Sequence, residues 1–190
     1  MEQTAKKTGK TYEMDMCNGP LFPKIVAFAV PLILSGILQL LFNAADIIVV
    51  GHFAGRESLA AVGSTTALIN LMINVFVGLS IGANVLVAQY SGAQKWKDLE
   101  ETVHTAMMIA LAGGILLIFV GVFFSGPMLS LMGTPDDVLP LAALYLKIYF
   151  VGMPATLTYN FGAAILRAVG DTRRPLYFLL FAGAVNVVLN

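Results

Sequence analysis

Apolar side chains come in long, nearly unbroken runs along this chain, and those runs set the architecture before any single residue is considered. Five stretches dominate: Ile25 to Val50, Leu59 to Tyr90, His104 to Phe124, Leu139 to Leu166, and Leu176 to Asn190, the last still apolar where the sequence stops. A bilayer core about 30 Å thick needs about 20 mostly apolar helical residues to cross it, and the runs reach or approach that length. They lack the sustained alternation of a strand and far exceed the roughly 10 residues of a membrane-barrel strand. In hydrocarbon, backbone amides and carbonyls must be bonded within their own segment, which leaves the helix. The predicted fold is all-α: a polytopic membrane bundle of about five transmembrane helices over residues 25–190, after a polar segment, residues 1–24.

Turn-forming residues fall between the runs. Gly126-Pro127 and Gly133-Thr134-Pro135 are expected to break the chain between the third and fourth helices, and Pro175 to open the fifth as a first-turn proline. Pro31 and Pro154 lie inside apolar runs. Each removes one backbone hydrogen bond and can kink its helix, which a membrane tolerates where neighbours satisfy the freed carbonyl.

Basic residues give the orientation. Lys6, Lys7, Lys10 and Lys24 precede the first run, Lys95 and Lys97 follow the second, and Arg167, Arg173 and Arg174 follow the fourth; all nine fall on one side. The opposite connections hold Arg56 alone, and Lys147 falls inside the fourth run. By the positive-inside rule the N-terminus is cytoplasmic and helices 1, 3 and 5 run outward. Residues 1–24 lack a short apolar core with a small-residue cleavage site, so they read as a cytoplasmic tail and not as a removed signal.

Composition narrows the function classes. The chain is 58% hydrophobic and 12% charged, against about 25% charged in soluble domains, too little to clothe a water-facing surface. Lys and Arg balance Asp and Glu at 11 each, so there is no basic field for nucleic acid. The expected partners are the lipid bilayer and small molecules. Cys17 has no second cysteine, and His52 and His104 have no ligand at metal-site spacing, so no metal centre is expected. There is no P-loop, no H-E-x-x-H and no pair of intramembrane carboxylates. The chain reads as no enzyme and as needing no cofactor; transport would draw on an ion gradient.

One acidic residue, Asp46, lies within an apolar run, and Ser35, Gln39 and Asn43 precede it at helical spacing on one face. A carboxylate in hydrocarbon is costly and usually marks an ion or proton pathway, so Asp46 is a candidate to exchange H+ or to hold Na+; the alternative is a hydrogen bond to another helix. Asn186 and Asn190, four apart on the fifth run, form a second polar stripe able to share that ion or to bond between helices. Thr66, Asn70, Asn74, Gly78 and Gly82 recur every four residues along the second run. Gly78 and Gly82 match G-x-x-x-G, so this ridge is expected to pack helices, with Asn70 and Asn74 also candidates to line a cavity. Asn160, beyond the Pro154 kink, is a further lining candidate.

Read in order, GPLFPKIVAFAVPLILSGILQLLFNAADIIVVGHFAG, LAAVG, GANVLVAQYSGA and ILRAVGDTRRPLYF resemble the N-terminal half of the multidrug and toxic compound extrusion (MATE) family from about Gly19 onward. The resemblance implies two six-helix lobes, antiport against H+ or Na+, and export of cationic or amphipathic drugs across the plasma membrane. It implies ion coupling at Asp46, with Pro31 as the helix-1 proline and Asn186 and Asn190 near the same site. It also implies that the sixth helix and the C-terminal lobe are missing partners, so the chain is expected to be an N-terminal fragment. The alternatives are a lipid-linked saccharide flippase of the same superfamily, which should carry basic residues facing its cavity, and a non-transporting membrane subunit.

The topology is directly testable. With Cys17 removed, single cysteines at positions 57 and 136 should be modified by a membrane-impermeant thiol reagent on intact cells, and those at 97 and 173 should not; labelling at 97 or 173 inverts the orientation.

Overall fold

The computed structural model describes Met14, residues 19–53 and residues 55–189. Six helices follow one another: α1 (Leu21–Phe53), α2 (Gly55–Gly92), α3 (Trp96–Leu131), α4 (Leu139–Val151), α5 (Met153–Ala168) and α6 (Arg173–Leu189). Among the described residues there is no strand. α1, α2 and α3 are each long and apolar enough to cross a membrane, and α4 with α5, bent by 48° at their break, are so when taken together. α6 is shorter, with 17 described residues. At 1.5 Å per residue the 36 residues of α3 extend about 54 Å, well beyond a hydrocarbon core of about 30 Å. Its overhanging first turn carries Asp98, where an acidic side chain suits the free helix amides.

Of the two breaks expected between the third and fourth helices, one is corrected: α3 continues through Gly126 and Pro127 to Leu131. The chain turns at the other, at Gly133, whose φ of +75° is left-handed and strained for any residue with a Cβ. There the Thr134 amide bonds to Leu129 O at 3.1 Å and the Gly133 amide to Ser130 O at 3.0 Å, satisfying two terminal carbonyls. Gly170 (φ +87°) ends α5 the same way, with Asp171 N to Leu166 O at 2.9 Å and Gly170 N to Arg167 O at 3.0 Å. The fourth run, expected as one helix that Pro154 can kink, bends there by 48° and is broken into two helices. Pro154 has no amide to give, and the ladder restarts with Thr156 N bonding to Gly152 O at 3.1 Å. Pro31 leaves α1 unbroken, with the Ser35 hydroxyl donating to its carbonyl at 2.8 Å.

Lipid reverses the usual burial pattern. Large apolar side chains such as Leu40 (71% exposed), Ile48 and Phe181 point outward, where hydrocarbon is the solvent. The core comes from α2 to α5: Ala61, Leu68 and Ile69 against Ala110, Leu117, Leu146, Phe150, Leu157 and Phe161. α1 contributes one buried residue, Pro31. α3 is central, packing on α2, α4 and α5. Its glycines make this possible: a Cβ at Gly113 would strike the Phe76 ring, one at Gly121 the Phe150 side chain, and one at Gly114 the Pro154 backbone, 2.9 Å from its nitrogen.

The sequence ridge on α2 behaves otherwise. Thr66, Asn70, Asn74, Gly78 and Gly82 are all exposed, and nothing lies within 4 Å of a Cβ built at Gly78 or Gly82. Within the described residues they pack no helix, because the opposite face of α2, with Thr65, Leu68 and Ile69, takes the core.

The two kinds of glycine predict opposite responses. Gly114→Ala should lower stability by about 1–3 kcal/mol, because Pro154 backbone cannot step aside as a side-chain tip can. Gly78→Ala should be neutral or slightly stabilising, by under about 1 kcal/mol, from helix propensity. Thermal unfolding in detergent distinguishes them; equal midpoints would refute the close contact.

Candidate functional site: an acidic residue on the α1–α6 seam

α1 and α6 pack on each other and run in the same direction, since α2, α3 and the bent α4–α5 pair cross between them. They come close together at Gly183, where a Cβ would enter the Phe42 ring. One turn further along each helix stand Asp46, four residues past Phe42, and Asn186, three past Gly183. At 1.5 Å rise per residue these advances are about 6 Å and about 4.5 Å, which brings the two residues to nearly one level. Both are half-buried and both have interaction partners. Asp46 is the sole acidic residue along α1. Tyr145, on α4, lies within electrostatic reach of Asp46. The sequence carried no signal for Tyr145, because an aromatic residue in an apolar helix looks like ordinary core.

The other candidates divide. Gln39 and Asn43 are exposed on α1, as are Asn70 and Asn74 on α2; these polar groups sit on the outside of the described bundle. Pro31 is buried. Asn190 lies outside the described residues. Asn160 lines a cavity of about 380 Å³ between α1, α2 and α5, together with Ser80, Asn84, Arg167, Phe28 and Leu32. Asn160 is therefore in a different place from Asp46 and Asn186.

Two residues of that cavity carried a sequence signal that pattern reading did not use. Asn84 is an amide within an apolar run, and its Nδ2 donates to Ala164 O at 2.5 Å, tying α2 to α5. Arg167 counted only toward orientation, yet its side chain lines the cavity. Lys147, the basic residue inside a span, is exposed on α4. The segment Gly78-Leu79-Ser80-Ile81-Gly82 has the letters of a nucleophile elbow, G-x-S-x-G, but lies mid-helix with the Ser80 hydroxyl donating to Val77 O at 2.8 Å. The strand-to-helix turn that exposes such a serine is missing there.

Chemically, the seam offers one carboxylate on α1 with an amide at nearly the same level on α6. The RAVGDTRRP stretch is structural at its second half. Asp171 is fully buried, its Oδ1 accepting from the Arg173 and Arg174 amides at 3.1 Å each. Its Oδ2 lies 3.1 Å from Arg174 Nε, an ion pair by distance although no aligned hydrogen bond forms at that oxygen. This holds the start of α6, and hence Gly183 and Asn186, in place.

Comparison with known proteins agrees with this arrangement of helices. The MatE family model matches residues 31–190. A protein of Bacillus subtilis (strain 168) named "Probable multidrug resistance protein YoeA" is 33% identical over 85% of this chain and 35% of its own length. A second from that organism, "Probable multidrug resistance protein YpnP", is 29% identical over 92% of this chain and 39% of its own. Among solved structures, a MOP superfamily transporter from Pyrococcus furiosus superposes with a TM-score of 0.86 at 26% identity, over 97% of this chain and 40% of that one. The chain thus spans well under half the length of the relatives it matches. With the family model covering all but the first 30 residues and the helices arranged as in a solved relative, this chain belongs to the MatE family, the multidrug and toxic compound extrusion transporters.

Proposed function

We propose that this chain forms one lobe of a secondary antiporter of the plasma membrane, which exports small organic compounds, cationic ones among them, in exchange for H+ or Na+. The observation that carries the proposal is Asp46: a half-buried acidic side chain on α1, one turn past the point where Phe42 meets Gly183 of α6. A carboxylate in hydrocarbon is costly unless its charge is used. Export driven by a gradient needs one group whose ion occupancy changes the relative stability of two conformations. The names of the B. subtilis relatives support small-molecule resistance as the outcome.

In this reading Gln39, Asn43, Asn70 and Asn74, exposed on α1 and α2, face a second lobe across a central cleft. That accounts for an amide-bearing surface which lipid alone would penalise. The N-terminus is cytoplasmic, as the basic residues require, so the end of the bundle with Lys95, Lys97 and Arg173 faces the cytosol.

Asp46→Asn in the full-length protein should abolish ion-coupled export while leaving expression and insertion close to wild type. The amide keeps the size and hydrogen-bonding capacity of the side chain and loses only its charge. Drug-induced proton and sodium flux in proteoliposomes is the measurement. Unchanged coupled flux in the mutant would remove Asp46 from the mechanism and leave it a packing residue.

A further inference from the structure

In the cavity between α1, α2 and α5 stands a cation, Arg167, with no counter-charge among the described lining residues. Arg167 stands in the last turn of α5, and its Nε is buried with no hydrogen-bond partner among the described residues. A buried unsatisfied donor on a charged group is costly and asks for an explanation. Asp171, the nearest acid along the chain, is committed to the amides of Arg173 and Arg174 and to the Arg174 side chain. Among the described residues no Asp or Glu lines the cavity.

Donors and shape then define what fits. Asn160 brings an amide to the same walls, while Ser80 has spent its proton on Val77 O and Asn84 one of its own on Ala164 O. Phe28 and Leu32 of α1 make the facing wall apolar. The volume of about 380 Å³ corresponds to about a dozen waters at roughly 30 Å³ each, ample for a tetrahedral oxyanion carrying an apolar substituent. Arg is the side chain suited to phosphate, because its planar fork meets two oxygens at once.

We propose that this cleft binds a phosphate group through Arg167 and Asn160, either as the headgroup of a membrane lipid lying along Phe28 and Leu32 or as a soluble phosphate. The site is distinct from Asp46 and does not rest on the export reading.

A ligand that binds only the folded protein raises its unfolding midpoint. The full-length protein is therefore melted in mixed micelles of phosphatidylglycerol or of a phosphate-free galactosyl diacylglycerol, and in detergent with inorganic phosphate or with chloride at equal ionic strength. Wild type should gain stability from phosphatidylglycerol over the phosphate-free lipid. Arg167→Gln should lose that gain, Arg167→Lys should keep part of it, and Lys97→Gln, at an exposed residue of the same end, should keep all of it. Asn160→Leu should reduce the gain and serves as the second variant if Arg167→Gln does not fold. Stabilisation by inorganic phosphate that also depends on Arg167 identifies a soluble ligand; stabilisation by the lipid alone identifies a headgroup site. No gain in wild type from either source, a gain that survives Arg167→Gln, or an equal loss in Lys97→Gln overturns the proposal, the last by showing general surface attraction.

Discussion

Helices in a bilayer gain nothing by hiding apolar surface from one another, since lipid tails are as apolar as leucine; they associate by close packing. The bundle depends on that constraint being met at a few glycines. α3 reaches three neighbours because Gly113, Gly114 and Gly121 admit Phe76, Pro154 and Phe150. At Gly114 the approaching group is Pro154 backbone, so the break in the fourth span lies directly against α3. The core of α2 to α5 follows from these approaches. α1 and α6 stand apart from that core and are joined to each other by the same device, Gly183 against Phe42.

This division bears on mechanism. The acidic residue proposed to carry the coupling ion is on the α1–α6 side, outside the most tightly packed part of the lobe. Its surroundings therefore depend on how α6 is seated, and that in turn depends on Asp171 and Gly170 at the start of the helix. A change in the charge of Asp46 would act on the seam before it acts on the core, which is what a group that biases two conformations should do.

Much of the fold was legible in the sequence. The length of the apolar runs gave all-helical spans, because the bilayer fixes how long a helix must be, and basic clusters marked one end. Breaks were less legible. Of the two signals read as breaks before the fourth run, Gly126-Pro127 resembles a terminator yet α3 passes through it, while the turn falls at the other, Gly133, where a left-handed φ is needed. Glycine roles were legible least: Gly78 and Gly82 have the sequence spacing of a packing motif, but whether a glycine is approached depends on which helix lies opposite, and spacing along one helix does not contain that. At the site, Asp46 stood out because charge in a long apolar run is rare. Tyr145 did not, and Arg167 was absorbed by the orientation rule, since neither its cavity nor its unpartnered nitrogen can be seen along a single chain.

The account turns on Asp46 acting within a seam held by Phe42 and Gly183, and a paired substitution tests this most directly. Ion-coupled export should be measured for Gly183→Val, Phe42→Ala and the double variant, at matched expression. Valine at 183 collides with the Phe42 ring and should separate Asp46 from Asn186, so export should fall at least tenfold; removing the ring should make room and restore much of it, a coupling expected only of residues in contact. Export by Gly183→Val equal to wild type, or a double variant no better than Gly183→Val, would contradict the account.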